Sequence, residues 1–409
     1  MMKRAAVLAA VWLSACGGGG AGGDDDDGPP DAFPEVCVGV DCSGHGTCVA
    51  VDGAALCQCD GGYVRSDATT CVESVGPSLG GCPLLPANHL FNTPIDALPV
   101  HPDSDAFIAT IGPDTEIHLD LGTTVDQQDP EYYGIPYNLV HGDALDWPEV
   151  AFEGDLGWDP RPESDCAVGE ARTFAQPCTA DVAPAPLLPI PDDVLVEGGI
   201  NTSPDQQPYG DHHILLLDVD ACWLWETYHS YQDAGGQWDI FGAAAWDLTS
   251  NALRPDGWTS ADAAGFPILP LLIRADEASA GEIRHALRFT IETDKIRTSY
   301  VWPARHLTNN GTDSTDLPPM GQLFRLKASY EIPAGAHAQT RAILQAMKTY
   351  GMYIADGGSD MYVQGEPSAA WADEIFDEVQ AVPASAFEAV DLSPIMARDG
   401  WDADSGAVP

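Results

Sequence analysis

The chain predicts a mainly β protein: a large β-sandwich or jelly-roll-like domain with a few peripheral helices, preceded by a small disulfide-rich module. Three observations lead there. Short β-branched or alternating runs recur between turn residues, in a chain with 41 glycines and 33 prolines among 409 residues. Only two stretches have sustained helical periodicity. Six of the eleven cysteines crowd into residues 37–71.

At the start, Met1-Met2-Lys3-Arg4 carries positive charge, Ala5 to Leu13 is apolar but too short to span a bilayer, and Ser14-Ala15 precede Cys16. Leu13-Ser14-Ala15-Cys16 resembles the lipobox of bacterial lipoproteins. That resemblance implies a signal peptide over 1–15, lipidation of Cys16, an oxidising compartment, and membrane attachment through the N-terminal lipid only. Residues 16–35 contain the run GGGGAGGDDDDGPP (17–30), which has nothing to pack and is expected to be a flexible acidic tether. Glycine at 17, where aspartate tends to retain lipoproteins in the inner membrane, points to the outer membrane. Asp24 to Asp27 resembles an acidic surface-export cue.

The formal charge is -46. Such a surface repels nucleic acid and anionic lipid headgroups and keeps an exported protein in solution. Eleven of the seventeen Lys and Arg residues fall between Arg254 and Lys348. Internal ion pairing is the expected use, ahead of an anion site.

Within 36–73, Cys37, Cys42, Cys48, Cys57, Cys59 and Cys71 are separated by 4, 5, 8, 1 and 11 residues, with Gly44-His45-Gly46 and Gly61-Gly62-Tyr63 at the turns. This spacing resembles an EGF-like module. The resemblance implies the pairs Cys37–Cys48, Cys42–Cys57 and Cys59–Cys71, crosslinks that a segment too short to bury a core needs. Val36 stands where the calcium-binding variant carries an acid, so a spacer or adhesion module without calcium is expected. A linker over 74–81 leads into the large domain, 82–395, with 396–409 as a tail. Four cysteines remain, an even number in an oxidising compartment. Cys166–Cys178 would close a local loop, and elimination leaves Cys82–Cys222.

In the large domain, Glu116–Leu119, Tyr137–Val140 and Leu323–Leu326 read as strands. Ala338 to Tyr350 reads as a helix stopping at Gly351, and Ser368 to Val382 as a second helix ending before Pro383. Met352 to Asp356 and Met361 to Gln364, flanking Gly357-Gly358-Ser359, read as a hairpin.

The densest chemistry is Asp211-His212-His213-Ile214-Leu215-Leu216-Leu217 followed by Cys222-Trp223-Leu224-Trp225-Glu226. A symmetric turn would set position 217 against 222 and His213 against Glu226, orienting an imidazole by a carboxylate. No HExxH or comparable spacing joins the histidines into a metal site, and no metal or other cofactor is expected. Six tryptophans between Trp223 and Trp302, Trp225 and Trp302 among them, with carboxylates interspersed, have the composition of a carbohydrate site. The polar stretch Asn251 to Gly265 offers Arg254, Asp256, Trp258 and Asp262 at a cleft mouth. Arg274, Glu277, His285 and Arg288 complete the candidates. Glu226 or Glu277 would serve as acid or base, His213 and His285 would assist, and Arg274 or Arg288 would hold an anionic group.

Asn88-His89-Leu90-Phe91-Asn92-Thr93-Pro94, the 251–265 stretch, Gly281 to Phe289 and Tyr300 to His306 together resemble a broad group of secreted bacterial proteins of no established activity, which adds coherence and no mechanism. There is no GxSxG elbow, no Walker or Rossmann glycine pattern and no zincin helix. The expectation is a surface lipoprotein that binds or degrades an extracellular polysaccharide by hydrolysis or elimination. Non-catalytic adhesion and a structural envelope role are the alternatives.

Overall fold

Among the described residues, six buried cysteines are nearly the whole core of the N-terminal module, with Val40, Ala55 and Tyr63 packed against them. The computed structural model describes residues 34–51, 53–152, 161–178, 185–199, 211–308 and 311–409. The expected signal peptide, Cys16 and the tether up to residue 33 lie outside these. All five expected disulfides are formed: Cys37–Cys48, Cys42–Cys57, Cys59–Cys71, Cys82–Cys222 and Cys166–Cys178. The module folds as two hairpins, β1 (Gly46–Val51) with β2 (Ala54–Cys59) and β3 (Tyr63–Asp67) with β4 (Thr70–Glu73). It is seated on the body by an Arg65–Asp96 ion pair. Gly61 lies so close to the C-terminal segment that an added Cβ would stand 1.9 Å from the Val408 carbonyl oxygen.

The body is mainly β and is built on two mixed sheets. In chain order the strands of these two sheets are β5 (His118–Asp120), β6 (Tyr137–Val140), β7 (Val150–Phe152), β8 (Ile214–Asp218), β9 (Trp223–Gln232), β10 (Trp238–Asp247), β11 (Leu287–Ile291), β12 (Leu323–Leu326), β13 (Met352–Gly357), β14 (Tyr362–Gln364) and β15 (Phe387–Ala389). The five-stranded sheet runs β6-β8-β9-β10-β7 and the six-stranded sheet β15-β12-β13-β11-β14-β5. Each has parallel pairs, β6 with β8 and β10 with β7 in the first, β11 with β13 and β14 with β5 in the second. One continuous core draws Leu215, Leu217 and Leu224 from the first sheet and Leu287, Phe289 and Ile354 from the second. The opposite face of the five-stranded sheet, with Ile214, Leu216 and Trp225, is covered by Leu188, Ile190 and Val194. Residues 396–409, expected as a tail, are joined to the body by bridges from Ser405 to Ala252 and from Ala407 to His89.

Helix α1 (Ser104–Ile111) packs near β15, and α2 (Ala275–Ala280) leads into the six-stranded sheet. Helix α3 (Ala338–Thr349) buries Ile343, Leu344 and Met347 and stops at Gly351, which takes φ 75° as a left-handed terminator.

Three local expectations are corrected. The second helix, α4, spans only Glu374–Gln380. Ahead of it the chain turns, with Ser368 Oγ accepting from the Ala370 amide and the Trp371 indole donating to the Glu366 carbonyl. The β13–β14 hairpin is absent, because β11 inserts between those strands and pairs with both. The β8–β9 register also differs by two residues: Asp218 faces Trp223, Leu217 faces Leu224 and Leu215 faces Glu226. The four-residue loop lies one step later than a symmetric turn at 218–221 requires, so His213 and Glu226 are not paired across the strands.

Candidate active site

A cleft of about 590 Å³ opens where β9 and β10 meet the end of β13, with the 259–263 loop as one wall and Leu307–Thr308 at the rim. A neighbouring recess of about 130 Å³ lies against β5, β11 and β14. Asp211, Asp356 and Gly357 line both.

Backbone irregularities put the two aspartates there. Along β11–β13 the register runs Phe289 to Ile354, then Thr290 to Asp356, leaving Ala355 as an extra residue. Such a bulge re-aims the following side chain. The freed Ala355 carbonyl accepts the Ala264 amide at 2.8 Å, which ties the 251–265 loop to the bulge. Across the cleft, His212 and His229 both take left-handed backbone, at φ 49° and 52°. The His229 amide donates to the Asp211 carbonyl at 2.7 Å, which holds Asp211 at the mouth. Non-glycine residues in this conformation cost on the order of 1 kcal/mol each, an expense that concentrates at functional sites.

Asp356 Oδ2 accepts the Ala263 amide at 3.0 Å and Oδ1 its neighbour's amide, that of Gly357, at 2.6 Å. Burial, then the nearby Asp262 and Asp211 charges, push its carboxyl up to about 8 despite those bonds. Burial also raises the Asp211 carboxyl, with Glu197 adding to the effect, while the His213 charge and the Tyr228 hydroxyl favour its ionised form. Asp120, in the recess, is likewise raised, chiefly by burial.

His213 is 3% exposed, with Nδ1 2.7 Å from Glu197 Oε2 and Nε2 2.9 Å from the Ala261 carbonyl. Both ring nitrogens face acceptors, so both need a proton. Burial opposes that charge, yet Glu197 and Asp211 raise His213 to about 9. Glu197, which burial would raise, is held below its ordinary value by His213. At neutral pH Asp356 therefore holds a proton in the cleft, while Glu197, which lines only the recess, is ionised.

Of the candidates, His213, Asp262 and Arg288 are brought together here. Arg288 donates to Asp262 at 2.9 Å and 3.3 Å, both groups being buried, and the 251–265 loop supplies one wall. Glu226 lies behind that wall, fully buried. Its carboxylate accepts the amides of Ile268 and Leu269 at 2.8–3.0 Å, and burial pushes it up to about 7. It holds the Leu269–Leu271 turn and lines neither the cleft nor the recess. Arg274, Glu277 and His285 form a separate cluster: Glu277 receives Arg274 Nη2 at 2.8 Å and lies 2.8 Å from His285 Nε2. Burial would raise Glu277, but His285 and Arg274 hold it low.

Arg254 is buried on Asp165, with its guanidinium 5.7 Å from the rings of both Trp246 and Trp258. Asp256 accepts the Tyr300 hydroxyl at 2.8 Å. Trp225 packs on Trp147 and Phe174, and Trp302 packs on Trp401 with its indole donating to Ser405. Neither ring lines the cleft, whose aromatic surface is Tyr228, Phe241 and His306. The basic residues mostly pair internally, as in Arg297–Asp313, Arg305–Asp404 and Arg325–Glu388.

Sequence reading missed Asp211, Glu197 and Asp356. Asp211 opens the DHH run and Asp356 precedes two glycines, a signal of close backbone approach. Nothing local marks Glu197. Among the described residues no three His, Cys, Asp or Glu side chains are arranged to hold a metal ion, and no helix is long and apolar enough to cross a membrane. No protein-family model, no curated protein and no solved structure matches the chain.

Proposed function

We propose that this chain is an exported, lipid-anchored protein whose large, sandwich-like domain hydrolyses an extracellular polysaccharide in the cleft between its sheets. The observation that carries the reading is the pair Asp356 and Asp211, facing one open cleft with Asp356 holding a proton near neutral pH. Glycosidic hydrolysis requires one carboxyl that holds a proton and a second that can take one up, and the His213 charge favours the ionised form of Asp211. Asp356 gives its proton to the leaving oxygen as the bond from the anomeric carbon breaks. A water attacks that carbon and passes its proton to Asp211. Hydroxyls of Ser164, Thr259, Ser260 and Tyr228, beside the Phe241 ring, give the wall the mixed polar and aromatic character that suits a sugar.

A second reading, non-catalytic adhesion, is favoured by the cysteine-rich module, which we read as an EGF-like spacer. The test is release of new reducing ends from a panel of neutral and acidic polysaccharides by the oxidised chain, beside Asp356→Asn and Asp211→Asn. Losses of ~10²–10⁴ in folded variants are expected for removal of a general acid or base. Undiminished turnover in Asp356→Asn would reject the assignment, and binding without turnover by the parent chain would establish adhesion.

A further inference from the structure

The wall of the cleft has committed most of its own hydrogen-bond donors. The Tyr228 hydroxyl donates to Asp211. Ser260 Oγ lies 2.8 Å and 2.7 Å from the Asp262 and Phe266 carbonyl oxygens, one of which takes its proton, and Thr259 Oγ1 donates to the Asp262 carbonyl at 3.3 Å. The amides follow the same pattern: that of Thr259 donates to Glu163 Oε2 at 2.9 Å, and those of Ala263 and Gly357 donate to Asp356. His306 has the Ala263 carbonyl 3.0 Å from Nδ1, which leaves Nε2 an acceptor in the neutral ring. What faces the open space is therefore mostly acceptor capacity: hydroxyl lone pairs and the carboxylates of Glu163 and Asp211. At the rim, Thr308 Oγ1 is buried with no partner and can take either role.

Cations are missing from the same wall. Among the described residues that line the cleft there is no lysine or arginine. Arg254 is committed to Asp165, Arg288 to Asp262 and Arg305 to Asp404, and neither these three nor Arg161 lines it. The segments 153–160, 179–184, 200–210 and 309–310, outside the described residues, contain no lysine, arginine or histidine. We propose that the cleft selects a neutral polysaccharide, whose hydroxyls bring the donors this wall lacks, and turns away chains that bear uronate or sulfate groups. The inference rests on the glycan reading above and narrows its substrate class. A carboxylate or sulfate is negative and acceptor-only, so in this cleft it would meet acceptors and like charge, on a chain of net charge -46. The anion-holding roles expected of Arg274 and Arg288 go unused, since both are buried in ion pairs.

The test compares, with the full oxidised chain at pH 7, neutral and anionic forms of the same backbones: hydroxyethyl and carboxymethyl cellulose, methyl-esterified and free polygalacturonate, desulfated and native carrageenan. New reducing ends and affinity are both read. The expected result is action on a neutral form on the order of tenfold or more faster than on its anionic counterpart, with Glu163→Lys narrowing that gap. Equal or faster action on an anionic form overturns the proposal and leaves the glycan reading standing. A gap unchanged in folded Glu163→Lys also overturns it, because the preference then has a cause other than charge. Tighter binding of neutral forms without cleavage keeps the proposal and replaces hydrolysis by adhesion. Neither binding nor cleavage of any form overturns both. The comparison within the parent chain is decisive even if Glu163→Lys does not fold.

Discussion

The imidazole of His213 bridges the Glu197 carboxylate, 2.7 Å from Nδ1, and the Ala261 carbonyl, 2.9 Å from Nε2. One charged ring thus fastens the segment before β8, the Glu197 turn and the wall of the cleft to one another. His213 is a positioning residue here, acting through what it holds.

The pH dependence of stability follows from that bridge. His213 has a folded value near 9, above its unfolded value, so its contribution is complete below about pH 6.5 and is lost as pH rises through about 9. Glu197, held low, contributes above about pH 4.3 and loses that contribution on acidification. Urea titrations from pH 6 to 10 are expected to show a fall in parent stability that His213→Gln, destabilised throughout, does not reproduce. Parallel curves would refute the bridge.

Turnover should fall as pH rises through about 8, because the acid role of Asp356 needs its proton. Asp211 helps keep that proton on, so Asp211→Asn should move the Asp356 titration to lower pH. Carboxyl ¹³C shifts followed by NMR give the direction, and an unchanged midpoint would separate the two groups.

Glu226→Gln is expected to retain turnover within about threefold while losing on the order of 1–3 kcal/mol, since it breaks a carboxylate clamp on two buried amides and touches no substrate. Turnover and thermal unfolding measured on one preparation distinguish this outcome from a catalytic Glu226, whose loss would abolish activity in a fully folded variant.

The Cys82–Cys222 disulfide spans 140 residues and joins the start of the body to the β8–β9 turn. Replacing both cysteines with serine should cost ~3–5 kcal/mol on the chain-entropy account of long loops. The Cys166–Cys178 pair closes only 12 residues and should cost less. Chemical denaturation ranks them, and the reverse order would contradict the account.

What the sequence by itself determined is what local pattern encodes: a mainly β chain, helix α3 with its Gly351 stop, and strands such as β6 and β12. The cysteine pairs of the module came from a resemblance, and the Cys82–Cys222 pair from elimination. Internal pairing of the arginines was legible because a buried guanidinium needs a carboxylate wherever the chain supplies one. The site was not legible in the same way. His213, Asp262 and Arg288 were picked out, but their partners were not: Glu197 lies sixteen residues before His213 and Asp356 ninety-three residues after Ala263. A hairpin register depends on where the turn closes, and a two-residue difference moved Glu226 from beside His213 to the back of the wall. Only the tertiary structure, by inserting β11 between β13 and β14 and bulging at Ala355, set Asp356 opposite Asp211. Contacts between distant segments are fixed by how sheets pack, and that information is spread over the whole core instead of standing at the residues that do the chemistry.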